Sequence, residues 1–373
     1  MEEPSREEPR KVQSIALSYY SRKDIQKEII DFCKNREAIA NFNNEFFAKR
    51  PDKLEYPSDI LAQVKSGATS FHCSQELWSN PLDIRTEMTP EQYNELRAGW
   101  DFLIDIDSKY LDYSKIAAQI LIKALKHHGV KSFGIKYSGS KGFHILIPFK
   151  SFPQVVTGIQ TKDKFPEWAR LIANYLKEII HEDLTKEILK LTTQEDMGEK
   201  ELFETICKTC KNTAVKKSIG KYVCPNFKCK GQVESMKSNR KEMICPSCND
   251  KMKRVSEEEV YFCENCKTNS KKLPQNFESI AKTSKLIDSV DLVLVSPRHL
   301  FRAPYSLHEK TAFASIVLNE DQIKDFKPAD ADPLKINQVK SYMPQGIIPG
   351  QAKDLLMQAL DYAEKKAPKA SKF

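Results

Sequence analysis

The sequence lacks any long apolar run. No stretch approaches the roughly 18 consecutive apolar residues that a membrane-spanning helix needs. The first ten residues are charged and lack the apolar core of a secretory signal, so we expect a cytoplasmic protein without a membrane partner. The composition also excludes a disordered chain, because 40% of the residues are hydrophobic and 29% are charged. At 373 residues, a soluble protein of two or three globular units is expected.

Cysteine, by contrast, is plentiful, with ten residues in the chain. In a reducing compartment such cysteines indicate metal binding rather than disulfides. Eight of them form four short pairs: Cys207-x2-Cys210, Cys224-x4-Cys229, Cys245-x2-Cys248 and Cys263-x2-Cys266. Taken in chain order they make two quartets, each with a spacer of 13 or 14 residues between its pairs, close to zinc-ribbon spacing. We expect two structural Zn²⁺ ions, and spacing alone leaves open which pairs share an ion. Cys33 and Cys73 remain, and are expected to be buried as apolar residues.

The cysteine-rich segment also carries the excess of positive charge. Residues 200–272 contain 17 Lys and Arg against 9 Asp and Glu, so this segment accounts for the whole formal charge of +8. Two ions held by four thiolates each would lower its charge to about +4. The excess predicts either a solvated lysine-rich surface or a surface that contacts nucleic acid, and both readings stay open.

Two aspartates lie one residue apart at the end of the apolar run that begins at Trp100. The run predicts a strand over 101–106, and alternate side chains of a strand share a face, so Asp105 and Asp107 project together. Adjacent carboxylates repel each other, which a divalent cation relieves. Asp288 or Asp291 would supply a third carboxylate for a two-metal site. The alternative is that these aspartates merely flank a turn.

A turn with two glycines follows about thirty residues later, with the sequence Ser138-Gly-Ser-Lys-Gly-Phe-His144. Such turns expose backbone N–H groups to phosphate, and Lys141 adds charge. A lone histidine such as His144 is more often a core residue. A third cluster, residues 298–310, is basic and aromatic; its Arg302, His308 and Lys310 suit a triphosphate, whereas the alternative is a solvated loop.

The order strand, helix, strand, turn, strand over residues 101–148 predicts an α+β fold with helices mostly on one face of a sheet. Further helices are predicted over 21–49, 165–191 and 349–365, with a helix start at Thr89-Pro90, and strands over 68–73, 289–295 and 311–318. The expected organisation is a disordered tail (1–12), a core in two parts (13–200 and 273–326), a cysteine-rich insert (201–272), and a linker with a C-terminal helix (327–373).

These motifs together resemble the archaeo-eukaryotic primase superfamily, and most of all the catalytic small subunit of archaeal DNA primase. Its Asp-x-Asp, Ser-x-His and apolar-Asp motifs are similar to Asp105-Ile-Asp107, Ser138…His144 and Val290-Asp291, in that order. A family run ending in Ser-Leu-His-x-Lys-Thr resembles residues 299–311, with His299 in place of an arginine. The family usually has one zinc site rather than two. The glycine turn also resembles that of the polymerase domain of bacterial end-joining ligases.

The resemblance implies a catalytic core of mixed sheets with an RRM-like part and flanking helices, interrupted by a zinc-ribbon insert. It implies a DNA replication enzyme, a nucleotidyltransferase that makes short primers on single-stranded DNA from nucleoside triphosphates. Two Mg²⁺ or Mn²⁺ ions would be held by Asp105, Asp107 and Asp291. The triphosphate would be bound by Ser138, Ser140, Lys141, His144, Arg302 and His308.

A large regulatory subunit with an iron–sulfur domain is the implied partner, since Cys33 and Cys73 alone cannot hold a four-cysteine cluster here. Two alternatives remain at this point. One is a primer-extending repair or end-joining polymerase of the same superfamily, and the other is a non-catalytic zinc-ribbon protein that binds nucleic acid.

Overall fold

The computed structural model describes residues 8–43, 45–108, 110–195, 203–236, 243–281, 290–291 and 296–366. The chain divides into a first unit, Met1–Ile188 with Ile287–Phe373, and a second unit, Leu189–Leu286. Helices and several small antiparallel sheets make it an α+β protein, as predicted. Among the described residues, no helix has the length and apolar character to cross a membrane.

Several of the described helices bury one apolar face, and the helix that begins at Pro90 is capped where the sequence indicates it. Thr89 caps its helix through a capping box, in which the Thr89 N–H donates to Gln92 Oε1 at 2.9 Å. The predicted start at Thr89-Pro90 is therefore confirmed. The helices are α1 (Glu8–Tyr20), α2 (Lys23–Cys33), α3 (Pro57–Lys65), α4 (Pro90–Leu96), α5 (Leu111–His127), α6 (Glu167–Glu195) and α7 (Lys353–Lys366).

The first unit contains two four-stranded antiparallel sheets and two short ribbons. Its strands are β1 (Ala38–Phe42), β2 (Phe46–Phe47), β3 (Ser70–Ser74), β4 (Glu76–Trp78), β5 (Arg97–Trp100), β6 (Phe102–Ser108), β7 (Gly134–Tyr137), β8 (Phe143–Ile147), β9 (Val155–Val156), β10 (Ile159–Gln160), β18 (Val290–Asp291) and β19 (Leu300–Arg302). The first sheet has the order β19-β3-β1-β2 and the second β18-β6-β8-β7, while β4 pairs with β5 and β9 with β10.

The aspartate strand β6 is buried on both faces until its last residues. Phe102, Leu103, Ile104 and Ile106 are all buried, and α5 packs against β6 and β8. The strand is anchored at its start by Asp101, which forms a buried ion pair with Arg36 and accepts a hydrogen bond from the Phe149 N–H at 2.7 Å. Because the apolar part is covered, the carboxylates emerge only where the strand ends.

The second unit is built on one long antiparallel pair of strands. Its strands are β11 (Phe203–Cys207), β12 (Val215–Val223), β13 (Gln232–Ser235), β14 (Met243–Ile244), β15 (Lys251–Cys263), β16 (Thr268–Asn269) and β17 (Phe277–Ala281). They form a sheet of order β13-β12-β15-β14, with β16 also on β15, and a separate pair of β11 with β17. The β11–β17 pair extends the insert to Ala281, beyond the expected boundary at 272.

Several expected elements differ in the structure. The helix expected over 21–49 ends at Cys33, and β1 and β2 follow it. The backbone of Asn35 takes a left-handed φ of 62°, and the next apolar run is buried on both faces, a pattern that helical periodicity alone cannot separate from a strand. Residues 8–12, expected in a disordered tail, begin α1.

The expected strand over 311–318 forms isolated bridges, Leu307 with Ala314 and Lys136 with Val317, rather than a ladder. The strand expected over 289–295 is described only as β18; residue 289 and residues 292–295 lie outside the described residues. Cys33 and Cys73 are buried, as predicted.

Candidate active site

In the second sheet, the strand register places several predicted site residues on directly neighbouring positions. Asp105 pairs with His144, and His144 pairs with Lys136 on the next strand. Directly opposed residues of antiparallel strands lie on the same side of a sheet, so these three form one row across it. Two residues further along β6, Asp107 pairs through the backbone with Asp291 of β18. The three aspartate motif positions are therefore neighbours in the sheet, although the side chain of Asp291 and all of Asp288 lie outside the described residues.

Asp105 and His144 form a close, largely buried pair. His144 Nε2 lies 3.2 Å from Asp105 Oδ1, and the His144 side chain is only 6% exposed. Burial would raise the pKa of the Asp105 carboxyl, but His144, Lys136 and His299 together hold that pKa below its ordinary value. The carboxylate therefore stays ionised at neutral pH, as a cation ligand must.

The other ring nitrogen of His144 is distinctive. Its Nδ1 is buried and has no hydrogen-bond partner among the described residues. Burial lowers the pKa of His144, with Lys136 adding to the effect, so the ring is neutral at pH 7. A buried ring nitrogen without a partner is rare in native proteins, which sets His144 apart from an ordinary core histidine.

A cavity of about 260 Å³ unites the three motifs. Seven predicted residues line it: Asp105, Asp107, Ser138, Ser140, His144, Arg302 and His308. His72, His299, Leu300 and Phe301 complete the lining. Lys141 is exposed and does not line this cavity.

The two turn glycines permit close approach of the backbone to its neighbours. Gly139 has a φ of +100°, and a Cβ there would lie 2.7 Å from His308 Cβ. A Cβ on Gly142 would lie 2.1 Å from the carbonyl oxygen of Ile106, in the aspartate strand. The turn is thus packed against both other motifs, which larger residues would prevent.

Ser138 holds the turn in shape as well as lining the cavity. Its Oγ accepts hydrogen bonds from the Gly142 N–H at 3.1 Å and the Ser140 N–H at 3.4 Å. Thr311 Oγ1 donates to the carbonyl oxygen of Gly139 at 2.6 Å. Two of the N–H groups expected to face phosphate are therefore already used within the turn.

Arg302 is paired with a residue that the sequence did not single out. Its guanidinium donates two hydrogen bonds to Glu309, at 3.0 and 2.6 Å, and a third to the carbonyl oxygen of Leu307 at 2.7 Å. His72 Nε2 lies 3.0 Å from the same carboxylate. Burial would raise the pKa of Glu309, but His72 and Arg302 hold it well below its usual range. Arg302 is therefore fixed in place with its charge largely balanced.

The hydrogen bonds of His308 define which of its ring nitrogens carries the proton. His308 Nδ1 accepts from the N–H groups of Lys310 at 3.2 Å and Thr311 at 3.4 Å. Burial, with Arg302 nearby, lowers its pKa to about 4, so the ring is neutral at pH 7. A neutral ring with an accepting Nδ1 carries its proton on Nε2, which leaves one donor for a ligand.

Two further residues were missed from sequence. His72 lies in β3, more than two hundred residues from Glu309, and no local pattern links the two. Lys136 is fully buried in the same row as Asp105 and His144, where its Nζ donates to Ser315 Oγ at 2.7 Å. Burial lowers the pKa of Lys136 to about 7. A lysine inside a predicted strand gives no sequence signal of such burial.

The eight paired cysteines form two clusters that could hold zinc, but in a nested order. Cys207, Cys210, Cys263 and Cys266 make one cluster, and Cys224, Cys229, Cys245 and Cys248 the other. The first and last pairs therefore share one cluster and the two middle pairs share the other, which settles the pairing that spacing left open. The β12–β15 ladder explains the nesting, because it opposes Val215 to Phe262 at one end and Val223 to Lys253 at the other.

The sulfur positions suit tetrahedral zinc. Sulfur–sulfur distances are 3.8 Å for Cys207–Cys266, 3.4 Å for Cys210–Cys263, 3.5 Å for Cys224–Cys248 and 3.6 Å for Cys229–Cys245. Zinc–sulfur bonds of about 2.3 Å in a tetrahedron place sulfurs about 3.8 Å apart. Four thiolates leave no open position, so such ions would be structural.

Comparisons with known proteins give partial likenesses. No family model matches the sequence. An uncharacterized protein of Methanocaldococcus jannaschii is 30% identical over 142 residues, which is 36% of this chain, and the match spans only 30% of that protein's length. Among solved structures, the polymerase domain of Mycobacterium tuberculosis Ligase D in complex with DNA covers 95% of this chain and 93% of its own, with 13% identity and a TM-score of 0.39. A score that low does not establish a shared fold.

Proposed function

We propose that the chain is a nucleotidyltransferase of the archaeo-eukaryotic primase superfamily, acting as the catalytic subunit of a DNA primase. It makes short primers on single-stranded DNA from nucleoside triphosphates. The observation that carries the proposal is the meeting of three distant motifs, 105–107, 138–144 and 299–308, around one cavity. Carboxylates, imidazoles and a guanidinium at one point suit two-metal phosphoryl chemistry.

Asp105, Asp107 and Asp291 are the proposed ligands of two Mg²⁺ or Mn²⁺ ions. The backbone register that opposes residues 107 and 291 supports the third ligand, and the ionised Asp105 supports the first. Cations held there supply acidity at the attacking 3′-hydroxyl and charge neutralisation at the leaving pyrophosphate. His144 orients Asp105 through the 3.2 Å contact with its carboxylate.

The remaining lining residues are proposed to hold the triphosphate. His308 offers the Nε2–H, Ser140 a hydroxyl, and Arg302 a guanidinium fixed by Glu309. Lys141 and Lys310 are exposed, where they add positive charge near this site. Positioning and charge neutralisation of this kind supply most of the rate in phosphoryl transfer, and no protein nucleophile is needed.

The proposed partners are a single-stranded DNA template and a large regulatory subunit, in a cytoplasmic setting. A primer-extending repair or end-joining polymerase would use the same residues. Synthesis without a primer separates the two, because only a primase joins the first two nucleotides on a bare template. A non-catalytic zinc protein that binds nucleic acid would give no incorporation at all.

The test is unprimed synthesis on single-stranded DNA, with ribonucleotides and deoxyribonucleotides supplied separately, beside primer extension. We expect the double variant Asp105→Asn with Asp107→Asn to abolish both reactions while its thermal melt stays close to wild type. Asp112→Asn is the matched control, because Asp112 is 70% exposed in an ion pair with Lys115 on α5. Incorporation that survives the double change would refute the metal mechanism.

A further inference from the structure

The loop from Cys224 to Cys229 presents the most exposed aromatic side chain among the described residues. Phe227 is 79% exposed, and the next most exposed aromatic side chains in the described part of the chain, Tyr56 and Phe46, are 60% and 57% exposed. An exposed phenylalanine forgoes the stabilisation that burial of an aromatic ring would give. The x4 spacing of this cysteine pair, two residues longer than the other three, is what provides the loop that carries it.

The loop is held rigid at several points. Asn226 Nδ2 donates to Asp250 Oδ2 at 2.9 Å, and Asn226 Oδ1 accepts from the Lys228 N–H at 3.1 Å. The carbonyl oxygen of Asn226 accepts from the Cys229 N–H at 3.0 Å. Pro225 fixes one backbone angle, and both ends belong to a cysteine cluster. Phe227 is therefore positioned in advance, which lowers the entropy cost of contacting a partner.

Lys228 and Lys230 place positive charge beside this ring. Lys228 and Lys230 are exposed, and Lys228 Nζ lies 5.8 Å from the centroid of the Phe227 ring. Some other lysines of the unit pair with glutamates, as Lys217 does with Glu264 at 3.0 Å and Lys271 with Glu234 at 2.8 Å. Within the part of the chain that the structure describes, no ion pair involves Lys228 or Lys230. Their charge is thus available to an anionic partner.

We propose that this loop, residues 224–230, is a stacking platform for single-stranded nucleic acid. One base stacks on the Phe227 ring, and the flanking phosphates contact Lys228 and Lys230. Bases of a duplex have their faces covered by neighbouring pairs, so an exposed ring with adjacent cations fits an unpaired strand. The excess of positive charge on residues 200–272, formally +8 and about +4 with two zinc ions bound by four thiolates each, agrees with this partner. The proposal rests on the proposed function only in taking the strand to be a template.

The test uses the full chain and a new fluorophore. Trp78, Trp100 and Trp168 are 0%, 0% and 4% exposed, so Phe227→Trp adds the one solvent-facing indole among the described residues. We expect oligothymidylate or oligouridylate to quench that indole on titration. Quenching by both, or by one alone, supports the platform and tells whether DNA or RNA is the strand recognised.

Affinity measurements complete the test. We expect Phe227→Ala to weaken oligonucleotide binding, measured by fluorescence anisotropy, about 5- to 150-fold, since a stacked base contributes roughly 1–3 kcal/mol. Lys228→Gln with Lys230→Gln should lower the slope of log affinity against log salt by about 1.4. Leu334→Ala is the matched control, because Leu334 is equally exposed at 79% and lies in the first unit.

If Phe227→Ala binds oligonucleotide as tightly as wild type and has the same zinc content, the proposal is overturned. It is also overturned if no oligonucleotide quenches the indole of Phe227→Trp. Neither measurement requires catalytic turnover. A chain that binds oligonucleotide through Phe227 but incorporates no nucleotide would refute the proposed function and leave the stacking platform standing. A chain that polymerises nucleotides and binds oligonucleotide equally well without Phe227 would refute only the stacking platform.

Discussion

At the scale of single residues, Glu309 shows how the candidate site is held together. Its carboxylate is shared between Arg302 and His72, and its side chain is 5% exposed. The side chain of Arg302, which we propose for triphosphate binding, is therefore restricted to one conformation. Its role depends on Glu309, which stands at the variable position x of the Ser-Leu-His-x-Lys-Thr run.

A double-mutant cycle tests this pair. We expect Glu309→Gln or Arg302→Met alone to lower the free energy of unfolding by about 3 kcal/mol, because either leaves a buried charge unpaired. The double variant should lose clearly less than the sum of the two. Urea denaturation of all four proteins measures the coupling, and strictly additive losses would show that the pair does not act as a unit.

Glu28 gives a pH prediction away from the site. Burial raises the pKa of its carboxyl from 4.5 to about 7, although the N–H of Tyr342 donates to it at 2.8 Å. Between pH 4.5 and about pH 7, the folded chain therefore keeps a proton on Glu28 that the unfolded chain has lost. The free energy of unfolding falls as pH rises through this window, and above about pH 7 it falls no further from this cause.

We expect Glu28→Gln to remove this dependence. The free energy of unfolding of the variant, relative to wild type, should rise by about 3 kcal/mol between pH 4.5 and pH 7. Denaturant titrations at half-unit pH steps give the curve. A difference that stays flat across the window would contradict the assigned cause.

At the scale of elements, the glycine turn between β7 and β8 fixes the geometry of the site. It packs on the aspartate strand through Gly142 and on the His308 loop through Gly139. Its glycines serve this packing as much as any contact with phosphate.

Gly139→Ala and Gly158→Ala make a matched pair of variants. Both positions have positive φ, +100° and +81°, so both changes carry a backbone cost of about 1–2 kcal/mol. Only Gly139→Ala also forces a Cβ against His308, adding about 1–3 kcal/mol. We expect thermal melts to show the larger loss, and nucleotide titrations to show weakened binding, in Gly139→Ala alone. Equal effects would mean that the turn does not position His308.

Elements with a strong local signal were predictable from sequence. The strand with Asp105, the glycine hairpin, the start of α4 and the four cysteine pairs all lie where their patterns indicate. Residues 34–49 were misread because an apolar run buried on both faces has no distinctive period. The contact of His72 with Glu309 and the nested cysteines depend on pairing between distant segments, which no local pattern encodes.

At the scale of the whole molecule, the nested cysteine clusters predict how zinc is lost. Elemental analysis of the wild type should find two zinc ions per chain. We expect Cys207→Ser with Cys266→Ser to lose one ion, because both belong to one cluster, and Cys207→Ser with Cys224→Ser to lose both. The opposite result for the two double variants would indicate clusters formed in chain order. Iron in place of zinc would contradict the assignment of the metal.

The pairing of β11 with β17 has a consequence beyond the metal. Phe203 lies opposite Ala281, so the first and last described residues of the insert are cross-strand neighbours, about 5 Å apart. Because the two ends of this segment meet, it could be removed as one piece, and a linker of a few residues would then join the chain on either side. The cysteine-rich segment could therefore change in length or sequence while residues 105–144 and 299–308, which include the proposed site residues that line the cavity, stay the same.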